Sequence, residues 1–158
     1  MFEMTDRPLP ADEAAAQLRG LLAGETDPLA NAANFVAFLA LQLVAINWVG
    51  LYRRVGDELV LGPFQGRPAC VRIPVGKGVC GVAAARGETQ RVADVDAFPG
   101  HIACDAASRA ELVVPLFRDG RVVGVVDVDS PQPDRFSAAD QALVEALVAA
   151  YLEVAAPL

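Results

Sequence analysis

Apolar residues recur at helical spacing in two segments near the start of the chain. Residues 11–24 are rich in alanine and leucine and end in glycine, which predicts a short helix. In the next segment Asp27 stands before Pro28, a pair typical of a helix N-terminus because aspartate caps free backbone N–H groups and proline fits the first turn. From Leu29 to Ala40, apolar residues follow every three to four positions. We therefore predict a second helix that buries one face.

The middle of the chain alternates between apolar and polar residues, which is the pattern of half-buried β-strands. Turn residues separate these runs, with Gly56-Asp57 between the first two and Asp119-Gly120 between the last two. A short helix is predicted over residues 79–86, and residues 94–109 are predicted to be a loop with one turn of helix. The predicted strands cover residues 48–55, 58–64, 69–75, 89–95, 111–117 and 121–129.

A third long helix is predicted at the C-terminal end. Ser137 and Asp140 have the spacing of a reciprocal cap, and Leu143, Leu147 and Leu152 line one face of the helix that follows. Helices at both ends with strands between them predict an α+β fold, in which the N-terminal and C-terminal helices pack on one face of an antiparallel sheet. We expect a single domain over residues 1–158, with helices in 1–45, the sheet and its loops in 46–135, and the last helix in 136–158. The terminal helices should lie together, where they could pair with those of a second copy in a homodimer.

Composition and charge narrow the classes of function. The chain is 54% hydrophobic and 21% charged, which fits a compact globular domain and not a disordered chain. Its net charge of −7 argues against a nucleic-acid partner and against an anionic membrane surface. The start, MFEMTDRPLPADE, lacks the features of a secretory signal, and no segment is long and apolar enough to span a bilayer. We therefore expect a cytoplasmic protein whose three cysteines do not form a permanent disulfide framework.

The three cysteines and the single histidine allow three interpretations. Cys70, Cys80 and Cys104 could be small buried side chains, and Cys80, with small apolar neighbours, fits this best. They could instead form a Cys₃His zinc site with His101, but such sites take ligands in close pairs, and only His101 and Cys104 are close. The third interpretation is a reactive thiol at Cys104, which lies in the polar segment GHIACDAAS. We interpret His101 as a residue that fixes the loop.

A thiol that attacks a substrate needs an acid to protonate the leaving group, and the last hairpin offers three. Asp127 and Asp129 alternate on one strand and so share a face, while Glu111 opens the partner strand. With a two-residue Asp119-Gly120 turn, Glu111 would point to the face opposite the aspartates. With a three-residue loop that adds Arg118, Asp127 faces Glu111 and all three acids share a face, and we predict this loop. Three close carboxyl groups cannot all ionise cheaply, so one would stay protonated as a general acid.

Two aromatic residues are candidates for the wall of a small-ligand pocket. Trp48 and Tyr52 are four apart on the first strand and share a face, where they could contact a ligand or pack in the core. The carboxyl groups likewise could attract the ammonium group of a ligand or be solvated strand ends. The residues alone leave these alternatives open.

Several motifs resemble the free methionine-R-sulfoxide reductases, a family of GAF-domain proteins. The motifs are GPFQGRPACVRIPVGKGVCG, DVDAFPGHIACDAAS with the following AELVVPL, and GVVDVDSP. The resemblance extends from about Asn47 to the C-terminal helix, and the cysteine motifs and the DVDS strand are not general features of GAF domains. It implies a GAF-like fold and an oxidoreductase that reduces free L-methionine-(R)-sulfoxide to L-methionine.

The resemblance implies a role for each cysteine. Cys104, in GHIACD, would be the nucleophile that attacks the sulfoxide sulfur and becomes a sulfenic acid. Cys70, in RPAC, would be the resolving residue that forms a disulfide with it, and Cys80, in GVCG, would be accessory, as an alternative resolving thiol. A dithiol such as thioredoxin would then reduce the disulfide by exchange.

The resemblance also implies which residues bind the substrate. The acids would bind and protonate the sulfoxide oxygen or hold the polar groups of the substrate, and the aromatic residues would shape the pocket for its methyl end. These residues are Glu111, Asp127, Asp129, Trp48 and Tyr52. No cofactor or metal is needed, because the electrons pass through cysteine. The alternative function is a GAF module that senses a small molecule or redox state without turnover, since fold alone does not determine function.

Overall fold

The structure, a computed structural model, describes residues 7–156 and 158. Residues 1–6, which include part of the segment predicted to lack a secretory signal, and Pro157 lie outside the described residues. Four α-helices, six strands and one 3₁₀ turn (Val95–Ala97) make up this part of the chain. The helices and strands, in chain order, are α1 (Ala11–Leu22), α2 (Pro28–Gln42), β1 (Trp48–Val55), β2 (Glu58–Gln65), β3 (Arg72–Pro74), α3 (Gly78–Arg86), β4 (Gln90–Val92), β5 (Ala110–Arg118), β6 (Arg121–Ser130) and α4 (Ala138–Val154).

The strands form one antiparallel sheet in the order β3-β2-β1-β6-β5-β4. Helices α1, α2 and α4 pack on one face, where Phe35 of α2 stacks on Tyr151 of α4 with ring centroids 4.3 Å apart. Leu51, Leu112 and Val126 face this helical layer and complete the larger core. The arrangement confirms the predicted α+β fold with the N-terminal and C-terminal helices on one face. Helix α3 packs on the opposite face, where a second, smaller core lies.

The helix ends follow the capping signals of the sequence. Asp27 Oδ1 accepts a hydrogen bond from a backbone N–H of the first turn of α2 at 2.8 Å, which confirms the predicted N-cap. Ser137 and Asp140 form the predicted reciprocal cap of α4, since each side chain accepts a hydrogen bond from the backbone N–H of the other residue. Leu29 departs from the periodic pattern, because it lies in the first turn of α2 with 59% of its surface exposed. The buried face of α2 therefore begins one turn later.

The β5–β6 hairpin corrects the prediction of a three-residue loop. Arg118 pairs with Arg121, so only Asp119 and Gly120 form the turn. Both turn residues have left-handed backbones, with φ of 49° and 74°, and this is the turn geometry that matches the twist of a two-residue hairpin. The predicted loop was wrong because the Asp-Gly pair by itself satisfies the requirement for two positive φ angles.

A β-bulge nevertheless brings the three acids to one face of the sheet. The ladder shifts by one residue beyond Phe117, which leaves Val123 as the extra residue of β6. The shift changes which side chains share a face, so that Glu111 pairs directly with Asp129. The expected pairing of Asp127 with Glu111 is therefore wrong, but the predicted common face of the acids is confirmed.

Two predicted strands are shorter than expected. β3 begins at Arg72, so Cys70 precedes the strand and lies in a loop. β4 likewise covers only three residues, and β3 and β4 are the two edges of the sheet, where a strand has one neighbour. Residues 94–109 are a loop with the single 3₁₀ turn, as predicted. Along the residues that the structure describes, no helix combines the length and the apolar character needed to cross a membrane.

Candidate functional site

A disulfide joins the two loops that cover the α3 side of the sheet. Cys70, in the loop before β3, is bonded to Cys104, in the loop before β5, and their Cα atoms are 5.6 Å apart. A Cys₃His zinc site would need both sulfur atoms as thiolates, and the disulfide does not offer them. Cys80 is the free cysteine, and it lies on α3 with 4% of its surface exposed. The structure thus separates the cysteines into an adjacent pair and a buried single thiol.

The three acids extend from β5 and β6 into the space beneath these loops. Glu111 and Asp127 are buried, with 6% and 7% of their surfaces exposed, and Asp129 is half-buried. The Cys80 thiol donates a hydrogen bond to Glu111 Oε1 at 3.8 Å. The thiol sulfur and one oxygen each of Glu111 and Asp127 lie within 4.8 Å of one another. Among the described residues, these three form the set whose ligand atoms converge closely enough to hold a metal ion.

Burial raises the pKa of each carboxyl group, because charge is poorly solvated away from water. The pKa of Glu111 rises to about 8, through burial and then through the negative charge of Asp129. Burial and the charge of Glu111 raise the pKa of Asp127. Burial, with the charges of Asp127 and Asp105, raises the pKa of Asp129. Because like charges this close do not ionise together, the cluster retains protons at neutral pH.

Asp127 has a buried oxygen whose nearest source of a proton is the acid cluster itself. Its Oδ1 is inaccessible to solvent and accepts no hydrogen bond from a fixed donor among the described residues. An unpaired buried oxygen is costly, and native structures provide partners for such groups. A proton retained by the cluster can supply one, because the carboxyl groups of Asp127 and Glu111 lie within hydrogen-bond reach of each other.

His101 belongs to the acid cluster, which sequence reasoning missed. Its Nε2 lies 3.7 Å from Glu111 Oε2, and the ring lines the same cavity as the acids. Its backbone N–H donates a hydrogen bond to the carbonyl of Phe98, a contact that any residue other than proline could make here, so the interpretation that the histidine fixes the loop stays a prediction. The signal available was its place three residues before Cys104 in one loop, but that spacing does not show which way the ring points.

The two aromatic residues are buried and also form a wall of the site. Trp48 stacks on Phe64 with ring centroids 5.4 Å apart, and its Nε1–H donates to the carbonyl of Arg67 at 3.0 Å. The Tyr52 hydroxyl donates to the carbonyl of Cys70 at 2.9 Å. Core packing and pocket lining are therefore not alternatives here, because both side chains do both. The two hydrogen bonds also fasten the loop that carries Cys70.

The loop that carries Cys104 is fastened in the same way. Asn47 Nδ2 donates to Asp105 Oδ2 and to Ser108 Oγ, each at 3.2 Å. No local pattern links these three residues, since Asn47 is separated by about sixty positions from the loop that it holds. The contact depends on β1 and β6 being neighbours in the sheet.

Two adjoining cavities bring these groups together. They measure about 380 and 250 Å³, volumes that include the open solvent at their mouths. Cys104 lines both cavities, whereas Cys70 lines neither. The residues common to the two cavities are Tyr52, Cys104, Asp105, Asp127 and Asp129. The arrangement places a sulfur of the disulfide beside protonated acids and an aromatic wall.

Comparison with known proteins finds close relatives. A sequence model of the GAF domain matches residues 27–155, which confirms the predicted GAF-like fold. The chain is similar to the free methionine-R-sulfoxide reductase of Escherichia coli (strain K12), with 54% identity over 82% of this chain and 78% of that protein. It is 46% identical to the free methionine-R-sulfoxide reductase of Saccharomyces cerevisiae over 75% of this chain and 69% of that protein. The X-ray structure of free methionine-R-sulfoxide reductase from Neisseria meningitidis in complex with its substrate has a TM-score of 0.90 and 43% identity, over 97% of this chain and 95% of that one.

Proposed function

Because the chain belongs to the free methionine-R-sulfoxide reductases of the GAF-domain family, we propose that it reduces free L-methionine-(R)-sulfoxide to L-methionine by thiol chemistry. The observation that carries the proposal is the position of Cys104. Its sulfur is paired with Cys70 in a disulfide and lines the cavities that the buried acids also line. A sulfoxide bound there would meet a nucleophile and a proton donor together.

The first step is attack by the Cys104 thiolate on the sulfoxide sulfur. The sulfoxide oxygen leaves the sulfur of the substrate only when the oxygen is protonated, so an acid must lie beside it. Glu111 fits this role, since burial and the charge of Asp129 raise its pKa to about 8 and keep it protonated at neutral pH. The oxygen passes to Cys104, which becomes a sulfenic acid, and methionine is released.

The second step closes the disulfide. The Cys70 thiol condenses with the sulfenic acid of Cys104, a sulfur–sulfur bond forms, and the oxygen leaves as water. The disulfide of the structure corresponds to this oxidised product. A cytoplasmic dithiol protein of the thioredoxin type then returns both cysteines to thiols and takes up the disulfide itself.

The remaining cavity residues hold the substrate. Asp127 and Asp129 offer carboxyl oxygens to its ammonium group and protonated sulfoxide. Trp48 and Tyr52 form the apolar wall for the methyl end. Cys80 remains an accessory group, because its sulfur contacts Glu111 and its thiol is buried.

Replacing each cysteine of the pair tests the proposal. With free methionine-(R)-sulfoxide and a thioredoxin system, Cys104→Ser should form no methionine, whereas Cys70→Ser should form about one methionine per subunit and then stall as the sulfenic acid. Methionine is measured by chromatography and the sulfenic acid by dimedone labelling. Normal turnover by Cys104→Ser would falsify the assignment. Wild-type protein that forms no methionine with any dithiol would favour the sensor alternative.

A further inference from the structure

The two sulfur atoms of the disulfide have different surroundings. Cys104 lines both substrate cavities, whereas Cys70 lies outside them in the loop before β3. The neighbour of Cys70 is Val71, which has 61% of its surface exposed, more than any other large apolar residue in the described part of the chain. On the other arm of the disulfide, Ile102 is also exposed, at 37%, but it lines the first substrate cavity together with Gly78 and Cys104. Val71, beside Cys70, is exposed and lines neither cavity.

The segment around Cys70 is also basic, in contrast to the rest of the chain. Residues 59–87 contain four cations and no acid, although the chain has a net charge of −7. Arg72 pairs with Glu58 and Arg67 lines the second cavity, whereas Lys77 is exposed and takes part in no ion pair among the described residues. An exposed apolar centre with a positive rim is a surface that fits a partner with an apolar contact site and a negative rim.

We propose that Val71, with Lys77 at the rim, forms the docking surface for the thioredoxin-type protein that regenerates the enzyme, and that this protein attacks the sulfur of Cys70. The inference rests on the proposed function. Cys104 lines the cavities in which the substrate would bind, whereas Cys70 lies outside them next to the exposed Val71, so the thiolate of a protein that docks on Val71 meets Cys70 first.

The dithiol of the reductant is exchanged with the disulfide in two successive displacements. The thiolate of the reductant bonds to Cys70 Sγ, the Cys70–Cys104 bond breaks, and Cys104 leaves as a thiolate that faces the substrate cavity. The second thiol of the reductant then attacks the mixed disulfide, which releases Cys70 and leaves the reductant oxidised by two electrons. The nucleophile is in this way restored where the next sulfoxide binds.

The docking surface is tested by comparing a protein reductant with a small one. In Val71→Glu, which adds charge at the apolar centre, we expect the KM for thioredoxin to rise by about fivefold or more. Turnover with dithiothreitol should stay unchanged, because a small dithiol needs no docking surface. Lys77→Glu should raise the KM for thioredoxin in the same direction. Leu29→Glu is the matched control, since Leu29 has 59% of its surface exposed but belongs to α2 on the opposite face of the sheet, and neither rate should change.

If dithiothreitol supports methionine formation but the KM for thioredoxin is unchanged in both Val71→Glu and Lys77→Glu, the proposed docking surface is wrong. Absence of methionine with both reductants in the wild type would instead overturn the proposed function. The attacked sulfur is identified by incubating the oxidised protein with a thioredoxin whose second active-site cysteine is replaced by serine. We expect the trapped mixed disulfide on the peptide that contains Cys70, and a mixed disulfide on Cys104 would contradict the inferred direction of attack.

Discussion

The chemistry of Glu111 depends on where its carboxyl group is buried. In water the group would ionise near its ordinary pKa, but between β5, α3 and the loop of His101 its pKa rises to about 8. The increase comes from burial first and from the charge of Asp129 second. The raised pKa is a consequence of tertiary structure, because the groups that surround Glu111 come from distant parts of the chain. Burial thus gives a glutamate the protonated state that an acid catalyst requires at neutral pH.

The raised pKa of Glu111 predicts how stability depends on pH. Between about pH 4.5 and 8 the folded protein holds a proton that the unfolded chain has lost, so the free energy of unfolding falls as pH rises through this window. Asp127 and Asp129 act in the same direction, since burial also raises their pKa values. In Glu111→Gln the free energy of unfolding should decline less as pH rises, because glutamine has no proton that titrates in this window.

Urea unfolding from pH 5 to pH 8 measures this dependence. Glu153→Gln, which changes an exposed acid of α4, is the control and should keep the wild-type slope. An identical slope for Glu111→Gln and the wild type would show that Glu111 does not hold its proton in this range.

Individual residues of the site differ in how far sequence could identify them. The pairing of Cys70 with Cys104 and the common face of the acids were predicted, because each of these residues stands in a recognisable motif. His101 was interpreted only as a residue of the loop, because the sequence of residues 94–109 does not show that its ring points toward β5. Asn47 carried no signal, because its function is to hold residues about sixty positions away.

At the scale of secondary structure, Gly124 allows two neighbouring strands to approach closely. A Cβ at this position of β6 would lie 2.3 Å from the carbonyl oxygen of Tyr52 in β1, a distance that real Cβ atoms do not adopt. It also follows Val123, the extra residue of the bulge that sets the acid register. A glycine inside a strand pattern is a known signal of a bulge or a close backbone approach. This signal was present in the alternating VVGVVDVD run, but the position of the bulge depends on pairing across the hairpin, which alternation does not encode.

Gly124→Ala is therefore expected to destabilise the fold by about 2 kcal/mol or more, because backbone and not a flexible side chain must move. The loss of stability is measured by urea unfolding, together with turnover, which should fall if β6 shifts its acids. Gly24→Ala is the comparison variant, since Gly24 has a φ of 83° but open space around its Cβ. It should cost about 1 kcal/mol from backbone strain alone. Equal losses in the two variants would contradict the importance of the close approach.

At the scale of the whole molecule, the larger core and the candidate site lie on opposite faces of the sheet. The helical layer of α1, α2 and α4 forms the larger core on one face, and the candidate site occupies the other face with α3 and two loops. The order of elements and the apolar periodicity were enough to predict the first layer, since both are properties of contiguous segments. The candidate site on the other face depends on loops whose positions are fixed by long-range hydrogen bonds and by the disulfide. Its geometry therefore followed only from the three-dimensional structure.

The disulfide makes stability a function of redox state. It connects residues 34 positions apart, and closing a loop of this length lowers the entropy of the unfolded chain by an amount worth up to about 4 kcal/mol. The oxidised protein should therefore unfold at higher urea concentration than the reduced protein. Cys70→Ser should match the reduced wild type and show no response to reductant, whereas Cys80→Ser should keep the wild-type difference because Cys80 is outside the disulfide. Coincident unfolding curves for oxidised and reduced wild type would show that the bond adds no net constraint. A positive difference would mean that each round of the proposed reaction passes between a more stable disulfide form and a less stable dithiol form, with the less stable form being the one that binds the sulfoxide.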